Sequence, residues 1–194
     1  MNKAFVLGNG TSRSGICLES LRNHGRVYGC NALYRSYDPD FLVCVDKKMI
    51  EEINEERYQY KNNSVWTYAN KFPHIKNLNN FPFNNKMSSG PAALMLASIH
   101  NYDQIYMLGF DFFGLNKNTT YNNLYAGTRN YKKITDNPIF YKNWIRQIKD
   151  IVNCYTDIVF TRVVGSDFIL NDRLFDHTDN IKHLTMENFK SINI

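Results

Sequence analysis

No stretch of the 194 residues approaches the roughly 20 consecutive apolar residues needed to cross a membrane. The first apolar segment, Lys3 to Gly8, begins almost at Met1. No charged head, long apolar run and small-residue cleavage site precede it, so no secretory signal is expected and the default location is the cytosol. Cysteine is sparse. Cys17, Cys30, Cys44 and Cys154 form no C-x-x-C pair, which speaks against a zinc ribbon or a redox dithiol. Three of the four lie in or beside expected strands or helices and read as small buried hydrophobes. The five histidines are scattered without metal-ligand spacing. Nor is there a basic stripe with interleaved aromatics, so nucleic acid is not an expected partner. The net charge of +5 is mild and dispersed, yet suited to attracting a small anion.

What is present is an ordinary globular composition, 43% hydrophobic and 21% charged. This length suits one domain with a sizeable core. No repeat and no linker divides the chain, so residues 1–194 read as a single nucleotide-binding α/β domain. Asparagine is frequent beside lysine, isoleucine and tyrosine, the mixture that an AT-rich genome, a viral one among them, encodes.

The pattern along the chain alternates strands with helices. Residues 3–8 (KAFVLG), 26–30, 41–45 (FLVCV), 65–68 and 104–109 are short apolar runs bounded by turn residues and read as strands, with a short strand also open at 75–78. A further strand is expected at 157–160. Helices are expected at 12–23, 47–57, 92–100 and 138–153. The helix at 92–100 is apolar nearly all round and should be buried. The tail reads as two polar helical stretches, the clearer at 185–192. Such alternation implies a single Rossmann-like domain, a mostly parallel sheet with helices on both faces. Ligands of such folds sit at the carboxyl ends of the strands.

Five segments fall at that edge. Gly8-Asn9-Gly10-Thr11-Ser12 follows the first strand and offers backbone N–H groups to a phosphate, or is a tight turn with a helix cap. Asn31 follows the second strand and either bonds a ribose or base edge, or is a turn residue. Asp46 follows the third and takes a ribose hydroxyl or metal-bound water, or caps the next helix. Ser88-Ser89-Gly90 opens the buried helix, whose dipole favours an anion. Asp111 ends the strand at 104–109 within an aromatic cluster. After it comes a polar loop at 114–136 carrying Tyr121, Tyr125 and Tyr131. Loops of that length are commonly functional. The expectation is a mobile lid that brings Tyr121 to a phosphate; a surface loop or an interface in a homo-oligomer is the alternative.

Taken in order, GNGTS (8–12), CN (30–31), SSG (88–90) and GFDFF (109–113) resemble the motifs of glycosyltransferase family 42, the bacterial sialyltransferases that use CMP-sialic acid. The resemblance covers about residues 3–125. It implies a CMP-sugar donor, no required metal, and nucleotide contacts from Asn9, Asn31, Ser89 and Tyr121. The sequence departs from the family at Phe113, where a tyrosine is usual, and at Asp46, where an asparagine is usual. No histidine lies between Tyr125 and Pro138, where the family has its catalytic one. Tyr131 and Asp136 are the residues there that could take a proton. The order also resembles the MptE-like 6-hydroxymethylpterin pyrophosphokinases, through Pro39-Asp40 and Asp46. That likeness implies Asp46 and Asp111 positioning Mg²⁺ and a triphosphate. A third expectation is a nucleotide-binding protein without catalysis.

Overall fold

The computed structural model describes residues 1–62, 64–139, 141–165, 175 and 178–192. Eight strands form one wholly parallel sheet in the order β5-β4-β3-β2-β1-β6-β7-β8. The first half of the chain builds outward from β1 (Lys3–Leu7) through α1 (Leu18–Arg22), β2 (Arg26–Cys30), β3 (Phe41–Val43), α2 (Lys47–Glu55), α3 (Tyr58–Asn62), β4 (Val65–Thr67) and β5 (Asn79–Asn80). Then α4 (Ser89–Ile99) carries the chain back, and β6 (Gln104–Leu108) pairs with the free side of β1. A single helical turn, α5 (Leu115–Asn118), and the long α6 (Lys142–Cys154) follow. The sheet is completed by β7 (Val159–Val164) and β8 (Ile181–Thr185), and α7 (Met186–Ser191) ends the described chain.

Alternate residues of each strand face opposite layers, as the pleat requires. Ala4 and Val6 of β1, Tyr28 of β2 and Val43 of β3 pack under α4 and α6. Phe5, Leu7, Val27 and Leu42 face the other layer, built from α1, α2 and α7. Both faces are covered, which is why the central strands read as unbroken apolar runs. The α4 helix is buried nearly all round, with Ala92, Ala93, Leu94, Leu96 and Ala97 fully enclosed, because it lies against β1, β2 and β3 on one side and α6 on the other.

Three expectations need correction. The helix expected at 12–23 is broken: a 3₁₀ turn covers Thr11–Arg13, and α1 starts only at Leu18. Gly15 between them has φ +75°, a left-handed conformation that interrupts a right-handed helix. The tail holds a strand, β8, ahead of its helix. Lys182 and His183 gave it no apolar alternation, since β8 pairs only with β7 and is not fully enclosed. The short strand lies at Asn79–Asn80 rather than 75–78. Of the cysteines, Cys30 and Cys44 are buried, whereas Cys17 and Cys154 are exposed. Phe140, placed in the helix at 138–153, lies outside the described residues, and that helix begins at Lys142.

Backbones meet closely where β1 and β6 end. The Gly8 N–H donates to the Leu108 carbonyl at 2.8 Å and the Gly10 N–H to the Gly109 carbonyl at 2.9 Å. A Cβ on Gly8 would stand 2.5 Å from the Gly109 oxygen. Because that obstacle is backbone in the middle of the sheet, Gly8→Ala is expected to lower stability by about 1–3 kcal/mol. Urea denaturation of the variant should show a lower midpoint with an unchanged slope; an unaltered midpoint would refute this account of the glycine.

A cavity at the topological switch point

The sheet reverses its direction of growth between β1 and β6, and connections leave the two strands on opposite sides. A crevice opens at such a point beyond the carboxyl ends of the strands. Here it holds a cavity of about 500 Å³. Gly8, Asn9, Gly10, Asn31, Asp46, Ser88, Ser89, Gly90, Asp111 and Tyr121 all line it. Thr11 and Ser12 do not; they face a smaller hollow of about 320 Å³ on the far side of Asp111 and Asn122.

The glycine turn is tied to the protein itself. The Ser12 N–H donates to Asp111 Oδ2 at 3.1 Å, and the Ser12 hydroxyl bonds Asp111 Oδ1. The Thr11 N–H and hydroxyl donate to Asn122 Oδ1 at 2.9 and 2.8 Å, while Asn122 Nδ2 donates to Asp111 Oδ2 at 3.0 Å. An internal carboxylate thus occupies the place beside the turn where a phosphate was expected. The amides of Thr11 and Ser12 are thus taken up by Asn122 and Asp111, and neither side chain caps a helix. Asp111 is a fastener between β6 and the turn after β1. Arg13, which the sequence did not single out, completes the clasp: it is buried, and its Nε donates to the Gly8 carbonyl at 2.6 Å and its Nη2 to Asn9 Oδ1 at 3.3 Å.

Asn9 is buried as well, and its Nδ2 donates to the Cys30 carbonyl at 3.2 Å and to the Tyr131 hydroxyl at 3.3 Å. The Ala32 N–H also donates to that hydroxyl at 3.3 Å. With both lone pairs facing N–H donors, Tyr131 has only its proton left to offer, and it lines the cavity. Burial raises the Tyr131 hydroxyl far above the usual tyrosine range, so it does not serve as a base near neutrality. Burial likewise pushes Tyr121 and Tyr141 up to about 12. All three keep their protons near neutrality. Asp136, the other residue considered as a proton acceptor, takes the Lys133 N–H at 2.8 Å in a local turn and does not line the cavity.

Ser89 begins α4, and its hydroxyl accepts the Val45 N–H at 3.1 Å while keeping its own proton. Ser88 makes no side-chain cap; its N–H donates to Gln147 Oε1 at 3.1 Å. First-turn N–H groups have no partners within a helix, and Ser89 and Gly90, at the positive end of the α4 dipole, line the cavity. Lys47, Lys48 and Lys132 add positive charge to the wall.

Asn31 and Asp46 form the opposite character. Asp46 precedes α2 but makes no side-chain cap, which sets aside its capping role. It is exposed, and it accepts from Asn31 Nδ2 at 3.3 Å. Asn31 is held at φ +52°, and its Oδ1 is buried with no partner among the described residues. The Tyr141 hydroxyl is in the same condition. Buried polar atoms without partners are rare in native proteins and call for an explanation. Phe112 adds backbone strain at the cavity wall, with φ +62° for a bulky side chain.

The segment 114–136, expected to be a mobile lid, lies along the cavity and is hydrogen-bonded to the rest of the fold and to itself. The Leu124 N–H donates to the Asn9 carbonyl at 2.8 Å, the Tyr121 N–H to the Ile134 carbonyl at 3.1 Å, and the Gly127 N–H to the Lys132 carbonyl at 2.7 Å. Tyr121 and Asn122 are buried. Asn122, Asn130 and Tyr141 are lining residues that the sequence reading missed. Nothing in an asparagine-rich chain distinguishes those two asparagines from the rest.

The chain matches no protein-family model, no curated protein and no solved structure. No helix among the described residues is long and apolar enough to cross a membrane, and no group of three or more histidine, cysteine or acidic side chains among them is placed to hold a metal.

Asn122 joins the glycine turn to Asp111 with both ends of its amide. Asn122→Ala strands the Thr11 N–H and removes one of the two donors to Asp111 Oδ2, and is expected to lower stability by about 1–3 kcal/mol. Asn123→Ala, at a less buried neighbour, is the comparison. Equal melting temperatures for the two variants would show that the Asn122 bridge contributes nothing.

Proposed function

We propose that the cavity binds a nucleotide and that the protein is a sialyltransferase-like glycosyltransferase taking a CMP-sugar. The observation that carries this reading is Asn31. It is strained into the left-handed region and keeps a buried Oδ1 without a partner in a cavity whose other wall is a helix N-terminus. A ligand with a hydrogen-bond donor at one end and an anion at the other complements both features. A cytidine nucleotide has amino and ribose hydroxyl groups for Asn31 and Asp46, and a phosphate for the start of α4. The resemblance of the motifs in residues 3–125 to glycosyltransferase family 42 points to the same ligand.

In this reading the donor phosphate lies against the N–H groups of Ser89 and Gly90, with the Ser89 and Tyr131 hydroxyls donating to it. Lys47, Lys48 and Lys132 give a positive approach. An acceptor hydroxyl attacks the anomeric carbon, the bond from that carbon to the phosphate oxygen breaks, and its electron pair leaves with CMP. Those donors stabilise the growing phosphate charge. The proton of the acceptor needs a base. None of the lining tyrosines is that base, since burial keeps the hydroxyls of Tyr121, Tyr131 and Tyr141 protonated. The magnesium-dependent pyrophosphokinase reading loses ground because Asp111 is committed to Ser12 and Asn122, which leaves no free pair of acids.

Calorimetric titration with CMP, CDP, CMP-sialic acid and ATP tests the proposal. CMP or CMP-sialic acid should bind without metal, and Asn31→Ala should weaken binding by about tenfold or more. Ser89→Ala should slow any transfer by about a hundredfold. Absence of affinity for every cytidine ligand, or ATP binding that requires Mg²⁺, would overturn the reading.

A further inference from the structure

Glu52 is the most deeply enclosed carboxylate among the described residues, 1% exposed, and it lies one and a half turns along α2 from Asp46, away from the cavity lining. An isolated charge in that position would be strongly unfavourable. Here it is surrounded by donors from two separate segments. Oε1 accepts from the Tyr34 hydroxyl at 2.7 Å and from Arg35 Nε at 2.7 Å, with Arg35 Nη2 completing a two-pronged contact. Oε2 accepts from Asn130 Nδ2 at 2.6 Å, with Arg129 Nε at 3.9 Å. Arg129 also pairs with Glu55 at 2.6 Å.

Each donor belongs to a wall of the cavity. Tyr34 and Arg35 close the 3₁₀ turn that starts at Asn31. Glu52 itself belongs to α2, which follows Asp46. Arg129 and Asn130 precede Tyr131 directly. Arg35 reaches further, donating to Thr128 Oγ1 at 2.7 Å and to the Arg129 carbonyl at 2.9 Å, and its guanidinium sits 5.8 Å from the centre of the Tyr131 ring. Asn130, at φ +64°, gives its second contact to the Lys48 carbonyl at 3.3 Å.

We propose that Glu52 is a positioning residue for the cavity: without touching the ligand, it gathers the Asn31 turn, the Asp46 helix and the Tyr131 loop onto one carboxylate, and so holds the Tyr131 hydroxyl against Ala32 and Asn9 with its proton aimed at the ligand. The inference rests on the reading of the cavity as a nucleotide site. Burial by itself would raise the Glu52 carboxyl, but the hydrogen bonds from Tyr34, Arg35 and Asn130 and the charge of Arg35 bring it below the usual carboxylate range. It is therefore charged at neutral pH and grips all its donors at once. The grip on the loop is the part that a neutral amide loses, because the nitrogen of a glutamine cannot accept from Asn130.

The test uses the full chain with Glu52→Gln, and with Arg35→Lys as a milder variant that keeps a cation beside Glu52 but drops the contacts to Thr128 and the Arg129 carbonyl. Amide hydrogen exchange without nucleotide reads positioning directly. Exchange of Ala32 and of residues 124–132 should quicken by about tenfold or more in both variants, while β6 keeps its wild-type rates. Calorimetry with CMP reads the consequence, an affinity about tenfold weaker at a temperature where both variants remain folded. Uniform acceleration throughout the sheet would mark a purely structural residue and overturn the proposal, as would unchanged exchange in the loop or unchanged affinity for CMP. If Glu52→Gln does not fold, Arg35→Lys carries the same readouts. If the wild-type protein binds no cytidine ligand, the proposed function fails, and the exchange measurement still decides whether Glu52 positions Tyr131.

Discussion

Two backbone segments lie against each other where β1 and β6 end, and the arrangement of the cavity follows from that contact. Gly8 and Gly109 meet at a distance no side chain allows, and Gly109 takes φ +72° to do so. The close approach lets Asp111 reach the turn after β1 and hold it through Ser12. With Asp111 and Asn122 fixed between two hollows, the larger one is confined to the space bounded by Asn31, Asp46 and the start of α4.

The site then divides by hydrogen-bonding character. At the start of α4, donors remain in the backbone N–H groups and the Ser89 hydroxyl, and the Tyr131 hydroxyl, whose lone pairs are already taken, adds a donor beside Ala32. Around Asn31 and Asp46, acceptors remain. A polar cavity with donors at the start of α4 and acceptors at Asn31 and Asp46 suits a ligand with the complementary groups. Polar contacts left unmade on one side are also what makes a missing ligand group costly, which is how such sites discriminate.

The sheet and the location of the cavity were legible because the central strands are covered on both faces and therefore read as plain apolar runs. The segments that line the cavity stood out for the same reason: glycine, asparagine and serine directly after such runs are hard to explain as core. What did not show in the sequence is the use of each group. Asp111 and Asn9 look like ligand residues by type and place and do line the cavity, but their bonds to the protein's own backbone and side chains did not show in the sequence. Glu52 was invisible because a glutamate in a charged helical stretch reads as a solvent-facing residue, and its enclosure depends on Arg35 and Asn130, which are distant in the chain. The strand β8 was hidden because an edge strand with Lys182 and His183 lacks the unbroken apolar run of a central strand.

The pairing of β1 with β6 sets Lys3 opposite Gln104 and Leu7 opposite Leu108. The two strands that frame the cavity are thus joined only after about a hundred residues of intervening chain have been brought together. Closing a loop of that length is entropically unfavourable until the non-local contacts form, and parallel pairing of this kind is intrinsically slow. During synthesis from the N-terminus, β1 to β5 emerge with Asn31 and Asp46 already in place along the chain, but the crevice has only one side. Recognition of any ligand in the crevice has to wait for β6 and the Asp111 clasp, so a molecule bound there would stabilise the finished domain rather than guide its early assembly.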